Sequence, residues 1–341
     1  MARKVTRRFM LQATMIGACA PAVHAQPSRG AQWSAKQYVN QPVSNPLYKA
    51  LDSIWAAVRA ETQGRLDVTV YPQNNGLPGS DPAALKLLQS GELEFFAIMG
   101  GLLSAAVPTM DVQGLPFVFT DPQQAYRADA GELGRYLDRE CEAKGIHRIK
   151  GGLFENGMRQ MNMREKSIRS VDDLQGLRIR VPDGEMFRDF FRTLGAEPVS
   201  MNINQLYDAL KEGRVDGQEN PLIIAETNRL YEVTKTISIT NHMWSGFNLI
   251  AHAAFWNGLP QDIRAIVGKQ VARQVVIQRK QTDDLNRKLE QSLVLQRGMV
   301  INRAEVSSFR ARLKGSFYPR WKKHIGTQAW ALLEKSTGKL G

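Results

Sequence analysis

An α/β protein with largely parallel sheets is the fold class that the sequence predicts, and three observations carry it. Short apolar runs of strand character alternate with segments of helical periodicity from residue 36 to residue 212, as strands joined by crossover helices do. The chain has 341 residues, so about two domains of roughly 150 residues each are expected. A hydrophobic share of 43% and a mean hydropathy of -0.33 describe a globular chain and not a bundle of membrane spans.

The first element is a targeting segment. Arg3, Lys4, Arg7 and Arg8 precede a mostly apolar stretch from Phe9 to Val23, and Val23-His24-Ala25 before Gln26 has the small-residue form of a cleavage site. The stretch is interrupted by Gln12 and Thr14 and is shorter than the roughly 20 apolar residues that span a bilayer. Residues 1–25 are therefore expected to be a cleaved export signal, with no stable membrane insertion afterwards. Thr6-Arg7-Arg8-Phe9-Met10-Leu11 resembles a twin-arginine export motif, which leaves that route and the general one open. Cys19 after Ile16-Gly17-Ala18 offers the alternative of a lipid-bearing first residue. Removing residues 1–25 removes four basic and no acidic residues, so the net charge falls from +12 to +8. Cys141 is then the one cysteine left and has no disulfide partner.

Residues 26–34 carry turn formers and read as a flexible lead-in. Lys36 to Asn40 follows as a short strand, and Asn45-Pro46 opens a helix whose Leu47, Leu51, Ile54, Trp55 and Val58 recur at helical spacing as far as Gly64. Arg65 to Tyr71 alternates apolar and polar residues, as a half-buried strand does. Asp81-Pro82 starts the next helix, and Leu93 to Ile98 forms a buried strand. The alternation continues through strands at 146–154 and 177–181, a helix at 183–194 and a segment at 204–212. From Pro260 to Gln296 one long helix with a polar face is expected, long enough to cross two domains. A strand at 299–302 and helices near 307–322 and 327–335 close the chain.

Several kinds of chemistry have no motif. Neither G-x-G-x-x-G nor G-x-x-x-x-G-K-[ST] occurs, so no nucleotide cofactor is expected. His147, His242, His252 and His324 are scattered without ligand spacing, so no metal site is expected either. No G-x-S-x-G elbow is present, and Cys141 sits among Arg139, Glu140 and Glu142, where a thiolate is not favoured. Basic residues lack an interleaved series of aromatics, so nucleic acid is not an expected partner.

The informative stretch runs from Glu155 to Pro221. Leu177, Ile179 and Val181 fill one face of a strand, and Arg178 and Arg180 lie on the other. Two arginines there require an anionic environment. A solvated edge, an internal ion pair with Glu155 or Asp216, and a bidentate clamp on a ligand carboxylate all satisfy that requirement. Phe117, Phe119, Phe187, Phe190 and Phe191 are read as core.

Gly64-Arg65-Leu66, Leu115-Pro116-Phe117-Val118-Phe119, Glu155-Asn156-Gly157, the run from Gly176 to Pro182 and the run from Val215 to Pro221 together resemble the solute-binding proteins of tripartite ATP-independent periplasmic (TRAP) transporters. The resemblance spans residues 36–312. It implies a two-lobed periplasmic binding protein fold with a ligand cleft, crossing strands and a long lobe-spanning helix. Residues 34–156 with about 246–285 would form lobe I, and residues 157–245 with about 286–341 lobe II.

By the same resemblance, Arg180 would form the salt bridge to a ligand carboxylate, Arg159 would support it and Asn220 would add a hydrogen bond. Glu155 is carried as a further site residue. Met99 stands where acid-sugar binders of the family place a glutamate, and Trp244 lies on a crossing segment, either lining the pocket or buried in the core. An apolar wall of Met99, Trp244 and Phe247 would favour a dicarboxylate or a less hydroxylated keto or aromatic monocarboxylate. The implied role is a periplasmic, non-catalytic receptor, expected as a monomer with a dimer left open, whose partner is a TRAP membrane permease. A periplasmic sensor is the alternative, and an enzyme using Glu155, Asp216 or Glu219 as base is a more distant one.

Overall fold

The computed structural model describes residues 30–73, 77 and 79–340. The export signal expected over residues 1–25, with Cys19, lies outside the described residues. Two sheets organise the fold. The first has the order β2 (Leu66–Tyr71), β1 (Trp33–Val39), β3 (Phe95–Met99), β10 (Trp244–His252) and β4 (Ile146–Met158). The second has the order β11 (Val300–Arg303), β9 (Thr236–Ile239), β5 (Gln160–Met163), β8 (Gly217–Asn220), β6 (Arg178–Val181) and β7 (Glu197–Ser200).

The chain passes between the sheets twice in neighbouring segments, from β4 to β5 at Arg159 and from β9 to β10 through Thr240–Met243. The two passages are joined by a hydrogen bond from the Arg159 N–H to the Met243 carbonyl at 2.8 Å. The fold is thus two-lobed, and the expected crossing strands are present. The sheets, however, are mixed and not largely parallel. β10 runs antiparallel to β3 and β4, and β5 runs antiparallel to β8 and β9. The crossings are the cause: a strand that enters a lobe from the other lobe runs against the strand that leaves it.

Local chemistry accounts for the element ends. The helix Pro46–Glu61 starts where the Asn45 side chain accepts the Leu47 N–H at 2.9 Å, with Pro46 at the first helical position. The lead-in is shorter than expected, because Trp33 already pairs with Leu66. The helix expected over 307–322 is two, Val306–Lys314 and Phe317–Ile325, parted at Gly315-Ser316 so that Phe317, Tyr318 and Trp321 turn into the core.

The long helix Gln261–Leu295 has 35 residues and serves both lobes. Ile263, Val267, Val271 and Val275 recur at i, i+4 and pack with Leu51, Ile54 and Trp55 on the first sheet. Farther along, Leu289 and Leu293 join the cluster of Leu206, Leu210 and Ile223 beside the second sheet. Between these apolar stretches the stripe turns polar. Gln278 is buried and clamps the Glu155 backbone, accepting its N–H at 3.0 Å and donating to its carbonyl at 2.7 Å. A third apolar cluster runs from Phe96 and Ile98 through Val181 and Phe190 to Phe309, Trp321 and Trp330.

Gly157, next to the first crossing, has φ +130°, and a Cβ there would lie 2.8 Å from Asn286 Nδ2 and 2.9 Å from Pro221 Cβ. Gly157→Ala is therefore expected to cost about 1–3 kcal/mol, lowering the thermal midpoint by several degrees. An unchanged midpoint in thermal unfolding would show that this turn carries no steric constraint.

Candidate functional site

β6 carries the two arginines, and their surroundings separate them. Arg178 makes the internal ion pair that the sequence left open: Asp216 accepts from its Nη2 at 2.6 Å, its Nε at 3.1 Å and its backbone N–H at 2.9 Å. The Asp216 carboxyl is held below its usual range first by the hydrogen bond from Arg178. Arg180 is buried and has no such partner. Its Nε and Nη2 donate to the Met201 carbonyl at 2.9 and 2.7 Å, and it makes no ion pair among the described residues. Burial pushes its pKa down to about 10, and the charge of Arg159 adds to that against the opposing field of Glu219.

Arg159 is fully buried and spoken for. It forks onto Glu219 through Nε and through Nη2, the latter 2.7 Å from Oε1, and Nη2 also donates to the Glu219 carbonyl at 2.8 Å. Burial alone would raise the Glu219 carboxyl, but Arg159 and His242 outweigh it and hold the group below its usual range. Burial lowers the pKa of His242, so its imidazole is neutral. Glu219 accepts from His242 Nε2 at 3.1 Å, which leaves Nδ1 to accept the Thr240 hydroxyl at 2.8 Å. The remaining Arg159 nitrogen, Nη1, meets only the Met99 sulfur at 3.6 Å.

Arg180, Asn220 and Met99 line one narrow cavity between the lobes, with Asn40, Asp81, Asn156, Ile203 and Phe247. At its mouth Asn204 Nδ2 donates across the cleft to the Gly79 carbonyl at 2.7 Å, so the lobes are closed on each other. Asp81 stands at the start of the helix Asp81–Ser90 and accepts from Asn40 Nδ2 at 2.8 Å. Burial raises its pKa to about 6, against the lowering hydrogen bond from Asn40 and the field of Arg180. Asn40 Oδ1 is buried without a hydrogen-bond partner. The lobe that carries β6 thus offers the cavity a cation without an ion pair, and the other lobe offers it two acceptors. Sequence reasoning missed Asp81 and Asn40, because an acid beside a proline at a helix start reads as ordinary capping.

Glu155 and Trp244 do not line this cavity. Trp244 Nε1 donates to the Glu155 carboxylate at 3.1 and 3.2 Å, and the Tyr126 hydroxyl donates to the same group. Glu155 opens instead onto a separate groove of about 790 Å³ along both crossings and the long helix, where burial raises its pKa to about 7. The reason is register: β4 carries Glu155 past the cleft to the back of the first crossing, where Tyr126 and the long helix cover it. Trp244 and Met99 share a second, smaller cavity with Gly101, Phe187 and Ser245, so Met99 divides the two spaces. The five phenylalanines read as core are all buried. Among the described residues no group of three or more His, Cys, Asp and Glu is placed to hold a metal ion, and no helix is long and apolar enough to cross a membrane.

The chain is similar to proteins of related description. A protein of Sinorhizobium fredii is 32% identical over 284 residues, which cover 82% of this chain but only 51% of that one. The C4-dicarboxylate-binding periplasmic protein of Rhodobacter capsulatus is 32% identical over 212 residues, 62% of each chain. The chain thus spans about half the length of the first of these relatives and less than two thirds of the second. The crystal structure of a TRAP periplasmic solute-binding protein from Chromohalobacter salexigens with bound D-glucuronate superposes with a TM-score of 0.82 at 26% identity, covering 89% of this chain and 99% of that one. The sequence profile described as bacterial extracellular solute-binding protein, family 7, matches residues 38–324, and with the two-lobed fold around the Arg180 cleft this places the chain in that family, to which it belongs.

Proposed function

We propose that this chain is an extracytoplasmic receptor that captures a small organic acid by a salt bridge to Arg180 and delivers it to the permease subunits of a TRAP transporter. The observation that carries this reading is the guanidinium of Arg180, buried in the closed cleft without an ion pair among the described residues. Removing such a charge from water without a counter-ion costs several kcal/mol, and a ligand carboxylate at its free Nη1 relieves that cost. Asn220 adds a hydrogen bond from the same wall, whereas Arg159, paired with the neighbouring Glu219, supports the site by holding β8 against the crossings. The lobes expected from the sequence, residues 34–156 with about 246–285 and residues 157–245 with about 286–341, would close on the ligand about the two crossings, although the last helix, Thr327–Thr337, lies against lobe I, where Lys335 pairs with Glu132 at 2.8 Å. No nucleophile, metal or cofactor motif supports turnover of the ligand.

The wall of the cavity formed by Asp81 and Asn40 narrows the acid. A second free carboxylate would meet the Asp81 carboxylate, whereas a hydroxyl can donate to Asp81 or to Asn40 Oδ1. This favours a monocarboxylate with a hydroxyl at that wall, and Met99 and Phe247 keep the rest of it sparsely hydroxylated. The C4-dicarboxylate-binding relative supports a second reading, a dicarboxylate bound with Asp81 protonated.

Truncation of Arg180 tests the receptor reading. Arg180→Ala is expected to weaken binding of the cognate acid by about 2–5 kcal/mol, tens- to thousands-fold, and Arg180→Lys to restore part of it. Titration calorimetry after a thermal-shift screen of carboxylates reads this, and affinity within about threefold of wild type in Arg180→Ala would refute the clamp.

The pH dependence separates the two ligand classes. A hydroxyl donor favours the ionised Asp81 and lowers its pKa from about 6, so affinity is full above that value and falls as the pH drops through it. A dicarboxylate favours protonated Asp81 and raises its pKa, so its affinity is full below about 6 and falls as the pH rises above that value. Asp81→Asn should flatten either profile; a profile in Asp81→Asn that matches wild type would mean that Asp81 does not face the ligand.

A further inference from the structure

The net charge of the chain is distributed unevenly. Residues 26–305 hold 33 basic against 32 acidic residues, whereas residues 306–341 hold eight basic residues and the single acid Glu334. Nearly all of the +8 left after removal of residues 1–25 therefore sits on the helices Val306–Lys314, Phe317–Ile325 and Thr327–Thr337 and the residues after them. Three of these cations are compensated by acids elsewhere: Arg312 by Asp172 at 3.3 Å, Arg320 by Asp189 at 2.9 Å and Lys335 by Glu132 at 2.8 Å. The other five, Arg310, Lys314, Lys322, Lys323 and Lys339, are exposed and make no ion pair among the described residues.

Three of the five converge. Arg310 and Lys314, one turn apart, and Lys339 line an open pocket of about 450 Å³ that also holds the Ser307 side chain and no acidic residue. Its floor is fixed. The Arg310 guanidinium lies 4.9 Å over the Phe117 ring, and Phe117 is pinned at φ +57° by donating its N–H to the His242 carbonyl at 2.7 Å. The Tyr318 hydroxyl donates to the Pro116 carbonyl at 3.0 Å. Like charges gathered around one pocket repel unless an anion joins them.

We propose that this pocket and the surrounding basic face form a peripheral docking surface for the phosphate headgroups of an anionic lipid membrane. The surface favours lipid over an acidic protein partner for two reasons. Among the described residues, the large exposed hydrophobic side chains, such as Val276, Leu295 and Val300, all precede residue 306, so outside the pocket, which Phe117, Tyr318 and the half-buried Leu340 line, the face presents no exposed apolar anchor of the kind that protein interfaces are built around. Four of its five free cations are lysines, point charges that suit a diffuse anionic layer, whereas bidentate recognition of carboxylates uses arginine. Docking of this kind is electrostatic and reversible, and it requires no inserted segment. It is independent of the ligand cleft.

Co-sedimentation of the full chain with vesicles tests the proposal. Binding is expected to phosphatidylglycerol-containing vesicles and not to pure phosphatidylcholine, and it should fall steeply as salt is raised. The triple variant Arg310→Glu/Lys314→Glu/Lys339→Glu should bind at least about tenfold more weakly, on the order of 1 kcal/mol being expected per surface cation, with the affinity for the organic acid unchanged as proof of folding. Should the reversals impair folding, Arg310→Gln/Lys314→Gln/Lys339→Gln replaces them, with the same direction expected. Absence of wild-type binding to the anionic vesicles at low salt overturns the proposal, as does wild-type affinity in the folded variant. Binding of an acidic peptide in preference to the vesicles would also overturn it and assign the face to a protein partner.

Discussion

The buried pair of Arg159 and Glu219 is the constraint on which the rest of the cleft depends. Both side chains are fully buried, and breaking such a pair by removing one partner typically costs about 3–5 kcal/mol. Glu219 gathers three segments that are far apart in sequence: it lies on β8, it accepts the fork of Arg159 at the first crossing, and it accepts His242 from the second. The same carboxylate that ties the crossings together also neutralises one of the two guanidinium groups near the cavity. What remains near the cavity is Arg180, a guanidinium with no ion pair among the described residues, and the polarity of the site follows from that.

Arg178 and Arg180 show how little residue type decides by itself. They are two positions apart on one strand and share a face, yet one closes a bidentate pair with Asp216 and the other is spent on a neutral carbonyl. A carbonyl satisfies hydrogen bonds without cancelling charge. Met201 therefore orients the Arg180 fork while leaving its charge to act on whatever enters the cleft, and burial makes that charge costly until a counter-ion arrives. Asp81 and Asn40 at the opposite wall add the complementary polarity.

Local signals in the sequence were read correctly where the physics is local. The Asn45-Pro46 cap, the i, i+4 stripe of the long helix and the strand at β6 depend only on neighbours a few residues away, and they are present at or within a residue or two of the expected positions. Strand direction was not legible, because the antiparallel placement of β5 and β10 follows from crossings that pair segments some 80 residues apart. The same limit applies to the site. Arg180, Asn220 and Met99 meet in one cavity, whereas Glu155, adjacent in sequence to the Asn156 that also lines it, is turned to the opposite side by the alternation of β4 and held there by Tyr126 and Trp244. Asp81 had no distinguishing pattern, since what makes it unusual is burial against Asn40 and not its place at a helix start.

These features bear on how closure is coupled to occupancy. At the mouth the lobes touch through a hydrogen bond from Asn204 to the Gly79 carbonyl, which is worth on the order of 1 kcal/mol net. Closing the empty cleft withdraws Arg180 and Asp81 from water, and neither then has an opposite charge in contact, although their fields partly offset across the cavity. Desolvation of two such groups opposes closure of the empty cleft. An acid that bridges Arg180 and Asp81 removes that penalty only when both walls are in reach, which is the differential affinity that a population shift toward closure requires. In the proposed receptor, the charge without an ion pair on β6 would therefore both attract the ligand and restrain closure in its absence.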